Sequence, residues 1–354
     1  MKRPSKRFTM NLKEKSEMKK YNIGILGITG AVGQEMLRVL EERRLPVESL
    51  RVFASKRSVG KEVVFLGEVL TVEELTSSSF EGVDIVLSAL DDDIAAIYLP
   101  EAVKKGCLVI DNSSMYRLDA STPLVIPEVN GEDILAHQGI IANPNCSTII
   151  ALTAVAALHK EVGIQSMVVS TYQAVSGAGV HGIAELEEQV TALGEDREVV
   201  PRVFSRQIAY NVIPQIGGFS EQGESSEEAK LQNEGRKILH HPELEVSCTC
   251  VRIPVMRSHS EAITLFFEEA LELETAKQLL SKAPGVRFID EQESGDFPTP
   301  LDTTGQDLVY VGRVREQRVA GKKALALWCC GDQVRKGAAT NAVQIAQAYI
   351  NYQK

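Results

Sequence analysis

Asn22-Ile-Gly-Ile-Leu-Gly27-Ile-Thr-Gly30-Ala-Val-Gly33 is an apolar run that breaks into a glycine-spaced turn and continues as a helical pattern, Ala31 to Arg43. The run reads as a buried strand. The glycines permit a tight turn and let backbone N–H groups approach a pyrophosphate, where the N-terminus of the following helix supplies positive potential. The spacing is G-x-x-G-x-x-G rather than G-x-G-x-x-G, so the loop carries little weight alone. Its place between the first strand and first helix of a βαβ pattern favours dinucleotide binding over a plain glycine-rich turn. Outward from it, short apolar strands follow at Leu50–Ala54, Val83–Leu90, Leu108–Ile110, Leu124–Ile126 and Ile140–Ala142, with a helical pattern at Ile94 to Lys105. This α/β alternation predicts a Rossmann-like parallel sheet covered on both faces.

After Asn145 the pattern changes. A long helix, Ser147 to Glu161, leads into strands with alternating polarity at Gln165–Gln173, Glu245–Arg252 and Ser260–Phe267. These predict an α+β region with a mixed, largely antiparallel sheet. Gly217–Asn233 reads as an exposed loop entering a helix, and Lys336 to Asn351 as a final helix with Ala, Val and Ile on one face. The first 20 residues are polar and Lys-rich and read as a disordered tail. The 354 residues suit two domains. The formal net charge of −10 argues against a surface built for nucleic acid. The longest apolar stretch, Thr148 to Leu158, is too short to cross about 30 Å of hydrocarbon, and no secretory signal is present. Six irregularly spaced cysteines make no disulfide framework. A reduced, cytoplasmic enzyme without membrane or nucleic-acid partners is expected.

Two short segments carry chemistry. Where an NAD site usually places an acid at the end of the second strand, this chain has Phe53-Ala54-Ser55-Lys56-Arg57-Ser58. Arg57, with the hydroxyls of Ser55 and Ser58, suits a 2′-phosphate and predicts NADP(H); the other reading is a solvated basic turn. In Asn143-Pro144-Asn145-Cys146-Ser147-Thr148, Cys146 falls in the first turn of a helix with Asn145 as its cap. The macrodipole there is expected to lower the thiol pKa. The local pattern leaves open a catalytic thiol or a buried structural one. Cys248 and Cys250 are two apart on a strand and share a face. Cys329 and Cys330 lie in an apolar strand with Trp328. No cysteine or histidine spacing fits a zinc site, so no metal is expected.

Taken in order, Gly27–Gly33, Asn112–Arg117, Ile126–Asn130, Asn143–Thr148, Gln173–Gly179, Glu227–Lys230, Arg252–His259 and Lys336–Asn341 resemble the bacterial type of the aspartate-semialdehyde dehydrogenase family. Asn-Cys-Ser-Thr around the thiol is the most specific match. The resemblance implies NADPH-dependent reductive dephosphorylation of L-aspartyl-4-phosphate to L-aspartate 4-semialdehyde, at the branch to lysine, threonine, methionine and isoleucine. It makes Cys146 the nucleophile of a thioacyl-enzyme and His259 the general acid/base, a role suited to a near-neutral pKa. It gives Arg252 the substrate α-carboxylate and Glu227, rather than its neighbour Glu228, the α-ammonium. Gln173 orients the acyl group. Arg117 and Lys230 form a phosphate clamp, with Asn112 and Asn145 nearby. Thr29, Gly30, Ala31, Val32 and Gly33 hold the cofactor phosphates, Ser55, Arg57 and Ser58 the 2′-phosphate, and Ser176, Gly177 and Asn341 contact the cofactor elsewhere.

By the same resemblance the chain divides into a dinucleotide-binding domain, 21–145, completed by the C-terminal helix 336–354, and a catalytic and dimerisation domain, 146–335. A homodimer is expected, or a tetramer. The nearest rival, N-acetyl-glutamyl-phosphate reductase, shares fold and chemistry but typically carries Asn-Pro-Gly-Cys-Tyr-Pro at the thiol. A non-catalytic cofactor-binding paralogue would have lost Cys146 and His259.

Overall fold

A computed structural model describes residues 19–353. The expected tail, 1–20, therefore lies outside the described residues apart from Lys19 and Lys20. The first half of the chain runs β1 (Tyr21–Leu26), α1 (Ala31–Arg43), β2 (Val47–Ala54), the hairpin of β3 (Glu62–Phe65) and β4 (Glu68–Thr71), β5 (Glu73–Glu74), β6 (Ile85–Ser88), α2 (Asp92–Lys104), β7 (Leu108–Asp111), a short α3 (Pro127–Asn130) and β8 (Ile140–Ala142). Its sheet has the order β5-β2-β1-β6-β7-β8, with every pair parallel. The strands read as apolar runs because both faces are buried. Ile23, Ile25, Leu87 and Ile110 pack with Met36 and Leu40 of α1. Leu26, Phe53, Val86 and Val109 pack with Ala95, Leu99 and Ala102 of α2. Strand order reverses at β1, and a crevice opens beyond the carboxyl end of a strand at such a switch point. The Gly27–Gly33 turn stands there.

The second half runs α4 (Cys146–Val162), β9 (Ile164–Gln173), α5 (Gly179–Gly194), α6 (Ser226–Ile238), β10 (Glu245–Arg252), β11 (His259–Phe267), α7 (Leu273–Lys282), β12 (Val286–Phe288), α8 (Pro300–Thr303), β13 (Val309–Val319), β14 (Lys322–Gly331) and α9 (Thr340–Tyr352). Its sheet, β10-β9-β11-β14-β13-β12, is mixed: β9–β10 and β12–β13 are parallel and the other three pairs antiparallel. Met167, Val169, Ile263, Leu265 and Leu327 share one face and pack on Ile150, Ala154 and Leu158 of α4. Side chains alternate along a strand, so the same face continues through Thr171 to Gln173, through Glu261 to His259 and through Cys250 to Arg252. Arg252 stands opposite Gln173, and Ser260 opposite Tyr172, which draws His259 alongside Gln173. The polar end of this face meets the first turn of α4.

Two expected elements differ. Leu124–Ile126 is not a strand: it makes a single bridge, Leu124 to Ala142. Pro127 opens α3 immediately after it, and the Ile126 N–H donates to Asn130 Oδ1 rather than to a neighbouring strand. The last helix begins at Thr340, not Lys336. Arg335–Ala339 forms a wide turn in which Gly337 and Ala339 donate to Asp332 and Val334, five residues back. α9 then returns to the first sheet, where Ala342, Val343, Ile345, Ala346 and Ile350 join the core of Ile23, Ile25 and Leu40.

Candidate active site

The cradle depends on two glycines. Gly27 has φ +77, and a Cβ on it would fall 2.4 Å from the Ala89 carbonyl oxygen. A Cβ on Gly33 would fall 2.3 Å from the Gly27 carbonyl oxygen, so α1 can lie this close to the turn only with glycine there. The Gly30 N–H closes the turn onto Gly27 O at 3.0 Å. Thr29 and Gly30 are exposed, and the first turn of α1 carries no acid, leaving its positive end uncompensated. At the end of β2, Ser55 and Arg57 are exposed, Ser58 is buried, and Ser58 N–H donates to Ser55 O. The cradle thus fits a pyrophosphate, and an exposed cation with no acid in its turn fits a 2′-phosphate.

Cys146 opens α4 and is partly accessible. Asn145 caps the helix, its Oδ1 accepting from the N–H groups of Ser147 (3.0 Å) and Thr148 (3.4 Å). Asn145 Nδ2 donates to Glu227 Oε1 at 3.0 Å, as does Gln173 Nε2. Lys230 Nζ donates to Glu227 Oε2 at 3.0 Å. Arg252 Nη1 donates to the Ala174 carbonyl at 2.7 Å, and the Ala174 N–H donates to His259 Nδ1 at 3.0 Å. Gly177 lies over both: a Cβ there would be 2.7 Å from Arg252 Nη1 and 3.5 Å from His259 Nε2. Gly30 to Gly33, Ala89, Asn112, Arg117, Asn145, Cys146, Ser176 and Gly177 line one cleft of about 270 Å³. The nucleotide cradle and the thiol therefore open onto the same space.

The electrostatics correct two expectations. Burial, then the Glu227 carboxylate, pushes the Cys146 thiol up to about 12, against the opposing pull of Lys230, Arg252 and Arg117. The expected lowering at a helix N-terminus is outweighed. Burial, then Arg252, takes His259 down to about 3 rather than leaving it near neutral. A backbone N–H can only donate, so His259 Nδ1 accepts and the neutral ring carries its proton on Nε2. That Nε2–H has no partner among the described residues. In this tautomer Nε2 is free to donate. Burial disfavours a charged Glu227, but Lys230 and the hydrogen bonds from Gln173, Lys230 and Asn145 hold it at about 2.

Arg117 is buried rather than a surface charge: Nε donates to Asn143 O (3.0 Å), Nη2 to Asn112 O (2.8 Å) and Nη1 to Glu234 Oε1 (3.2 Å). Of the adjacent acids, Glu227 faces the thiol. Glu228 is spent on backbone, accepting from Ser225 N–H and Cys250 N–H. Asn341 is not brought to the cleft. It is fully buried, donating to Val125 O and Asn143 Oδ1 and accepting from Lys336 Nζ. Two residues at the site went unread in the sequence. Glu234 stands two helical turns after Glu227, a spacing that could have revealed it. Gln333 bonds the Ser176 hydroxyl and accepts from Ser258 N–H, and has no local signal. Among the described residues, no group of three or more His, Cys, Asp or Glu is arranged to hold a metal, and no helix is long and apolar enough to cross a membrane.

A dinucleotide cradle that shares its cleft with a thiol at a helix start is the arrangement of an oxidoreductase working at the aldehyde level. Two family models match by region: semialdehyde dehydrogenase, NAD binding domain, over residues 22–137, and semialdehyde dehydrogenase, dimerisation domain, over 155–336. The aspartate-semialdehyde dehydrogenase of Aquifex aeolicus is 46% identical, with 93% of this chain and 98% of that protein covered. That of Bacillus subtilis is 43% identical, with 92% and 96% covered. The structure of aspartate semialdehyde dehydrogenase II complexed with ASA from Vibrio cholerae has a TM-score of 0.91 at 41% identity, covering 94% of this chain and 99% of that one. One with NADP from Candida albicans has a TM-score of 0.72 at 27% identity, covering 93% and 98%. The chain belongs to the aspartate-semialdehyde dehydrogenase family.

Proposed function

We propose that this chain converts L-aspartyl-4-phosphate to L-aspartate 4-semialdehyde and phosphate with NADPH, through a thioester on Cys146. The observation that carries the reading is the single cleft in which the Gly30–Gly33 cradle and Cys146 meet. The Cys146 sulfur attacks the acyl carbon, its proton passing to the departing phosphate as the bond to phosphate breaks and the thioester forms. Arg252 grips the α-carboxylate, Glu227 pairs with the α-ammonium, and Gln173 orients the acyl oxygen. His259 donates from Nε2 to the oxygen that becomes negative in the tetrahedral states. Arg117 and Lys230 hold the phosphate, beside Asn112. When bound, NADPH supplies the hydride that takes the thioester to the aldehyde; Thr29 to Gly33 cradle its pyrophosphate, Ser55, Arg57 and Ser58 its 2′-phosphate, and Ser176 and Gly177 line its approach.

We divide the chain at 145, with residues 336–354 returning to the first unit, and read the second unit as the seat of a homodimer in the cytoplasm. The matched dimerisation model supports the dimer. The names of the relatives favour the aspartate substrate over its N-acetylglutamate rival. The test is NADP reduction with L-aspartate 4-semialdehyde, with and without inorganic phosphate, beside N-acetylglutamate semialdehyde. Phosphate-dependent turnover of the aspartate aldehyde alone is expected; turnover of the acetylated aldehyde alone would move the substrate to the rival. A second expectation concerns Arg57. Arg57→Ala removes a charge-assisted contact, raising the KM for NADPH about 10- to 100-fold with kcat little changed. An unchanged preference for NADPH over NADH would rule that role out.

A further inference from the structure

Asn145, immediately before the nucleophile, is a helix cap whose own backbone N–H needs an acceptor. In a capping box that acceptor is a Glu or Gln three residues on. Here the third residue is Thr148, which carries no carboxylate. A carboxylate at that place would stand in the first turn beside Cys146 and disfavour the thiolate further. The acceptor comes instead from another helix: Glu234 Oε2 receives the Asn145 N–H at 2.7 Å. Its other oxygen receives Arg117 Nη1 at 3.2 Å, and the residue is 2% exposed.

We infer that Glu234 is a positioning residue that fixes Arg117 and the Cys146 helix start relative to each other, so that the phosphate grip and the nucleophile are set by one carboxylate. The inference rests on the reading of Arg117 as a phosphate ligand.

α6 supplies the reason one side chain can do this. Glu227 and Glu234 are seven residues apart, two turns along one face. Glu227 takes the Asn145 side-chain amide at 3.0 Å and Glu234 its main-chain N–H. The residue before the thiol is thus held from both sides by one helix. Arg117 bridges in the other direction. Its Nε and Nη2 are spent on the carbonyls of Asn143 and Asn112, in the first half of the chain. Of its five guanidinium N–H groups, three are taken up by these bonds and two remain for a phosphate. Glu234 sets the rotation of the guanidinium about those carbonyl bonds, and its charge offsets that of a buried cation. Neither Asn145 N–H nor Arg117 can be served by an amide without loss: Gln accepts through one atom, and its NH2 would face the remaining donor.

The test is Glu234→Gln, assayed in the phosphate-dependent direction beside wild type, Glu234→Asp and Arg117→Ala. In Glu234→Gln, the KM for inorganic phosphate is expected to rise about 10-fold and kcat to fall by a similar factor, with the KM for NADP unchanged. Glu234→Asp keeps the charge one methylene short and should recover part of the phosphate KM. Adding Glu234→Gln to Arg117→Ala should raise the phosphate KM less than about twofold further, because both act through the same grip. A phosphate KM unchanged in Glu234→Gln, or full additivity with Arg117→Ala, would overturn the inference and leave Glu234 a structural acid. If Glu234→Gln does not fold, the phosphate KM of Glu234→Asp decides by the same criterion. Absence of phosphate-dependent turnover in wild type would instead overturn the proposed reaction.

Discussion

Cys146→Ala is expected to lose at least about 10⁴-fold in kcat while still binding NADPH, because the side chain removed is the proposed nucleophile and no other thiol lines the cleft. Turnover near wild type would end the thioacyl route. The same thiol carries a pH prediction. Burial and Glu227 hold it up to about 12, so the free enzyme is almost wholly thiol at neutral pH. Alkylation by iodoacetamide should be slow at pH 7 and climb through the alkaline range without a plateau near neutrality. A nearby carboxylate disfavours a second negative charge, so Glu227→Gln should move that rise to lower pH. A plateau near pH 7 in the free wild-type enzyme would contradict the carboxylate-flanked thiol held in its protonated form.

Lys336→Met is expected to have the largest effect on stability. Lys336 is fully buried, and its ammonium donates to Glu128 Oε2 (2.6 Å), Gln344 Oε1 (2.8 Å) and Asn341 Oδ1 (3.0 Å). All three donors are used. Methionine fills the volume and leaves a carboxylate and two amide oxygens without their partner, a loss of about 3–5 kcal/mol when one member of a buried pair is removed. Urea unfolding measures it. Removing both charges, in Lys336→Met with Glu128→Gln, should cost less than the single change, and a double variant as unstable as the sum would refute the pairing. The pH dependence has a definite sign. Lys336 and its hydrogen bond hold Glu128 below the ordinary carboxylate value against the effect of burial. A depressed acid contributes stability that is complete above the unfolded value and is lost as pH falls through the folded one. The wild type should therefore lose more stability on acidification below about pH 4.5 than the double variant.

How much of this was legible in the sequence differs by kind of feature. β1, its turn and α1 could be read because close backbone approach leaves only glycine possible at Gly27 and Gly33. The buried parallel strands could be read because both faces are covered and polarity does not alternate. α5 and α7 start without a capping side chain, after Ala178 and Glu272, and went unread. The early start expected for α9 has a local cause, since a wide turn carries nearly the same apolar spacing as a helix. The protonation of Cys146 and His259 was misjudged for another reason. A helix start is visible in sequence, whereas the depth at which it is buried and the acid that faces it arise from a distant helix. Glu234 belongs to the same class: its meaning lies in two partners 89 and 117 residues away.

The return of α9 to the first sheet sets an order of events during synthesis. Ile23, Ile25 and Leu40 share their core with Val343, Ala346 and Ile350. Roughly 200 residues separate β8 from α9, so at about 5–20 residues per second the ribosome needs some 10–40 s between them. Through that interval one face of a finished parallel sheet lacks part of its cover, and β9 to β14 must emerge and pair beside it. The nascent chain is most exposed to misassembly then. Moving α9 ahead of β1 by circular permutation would let the first core close before the second sheet is made.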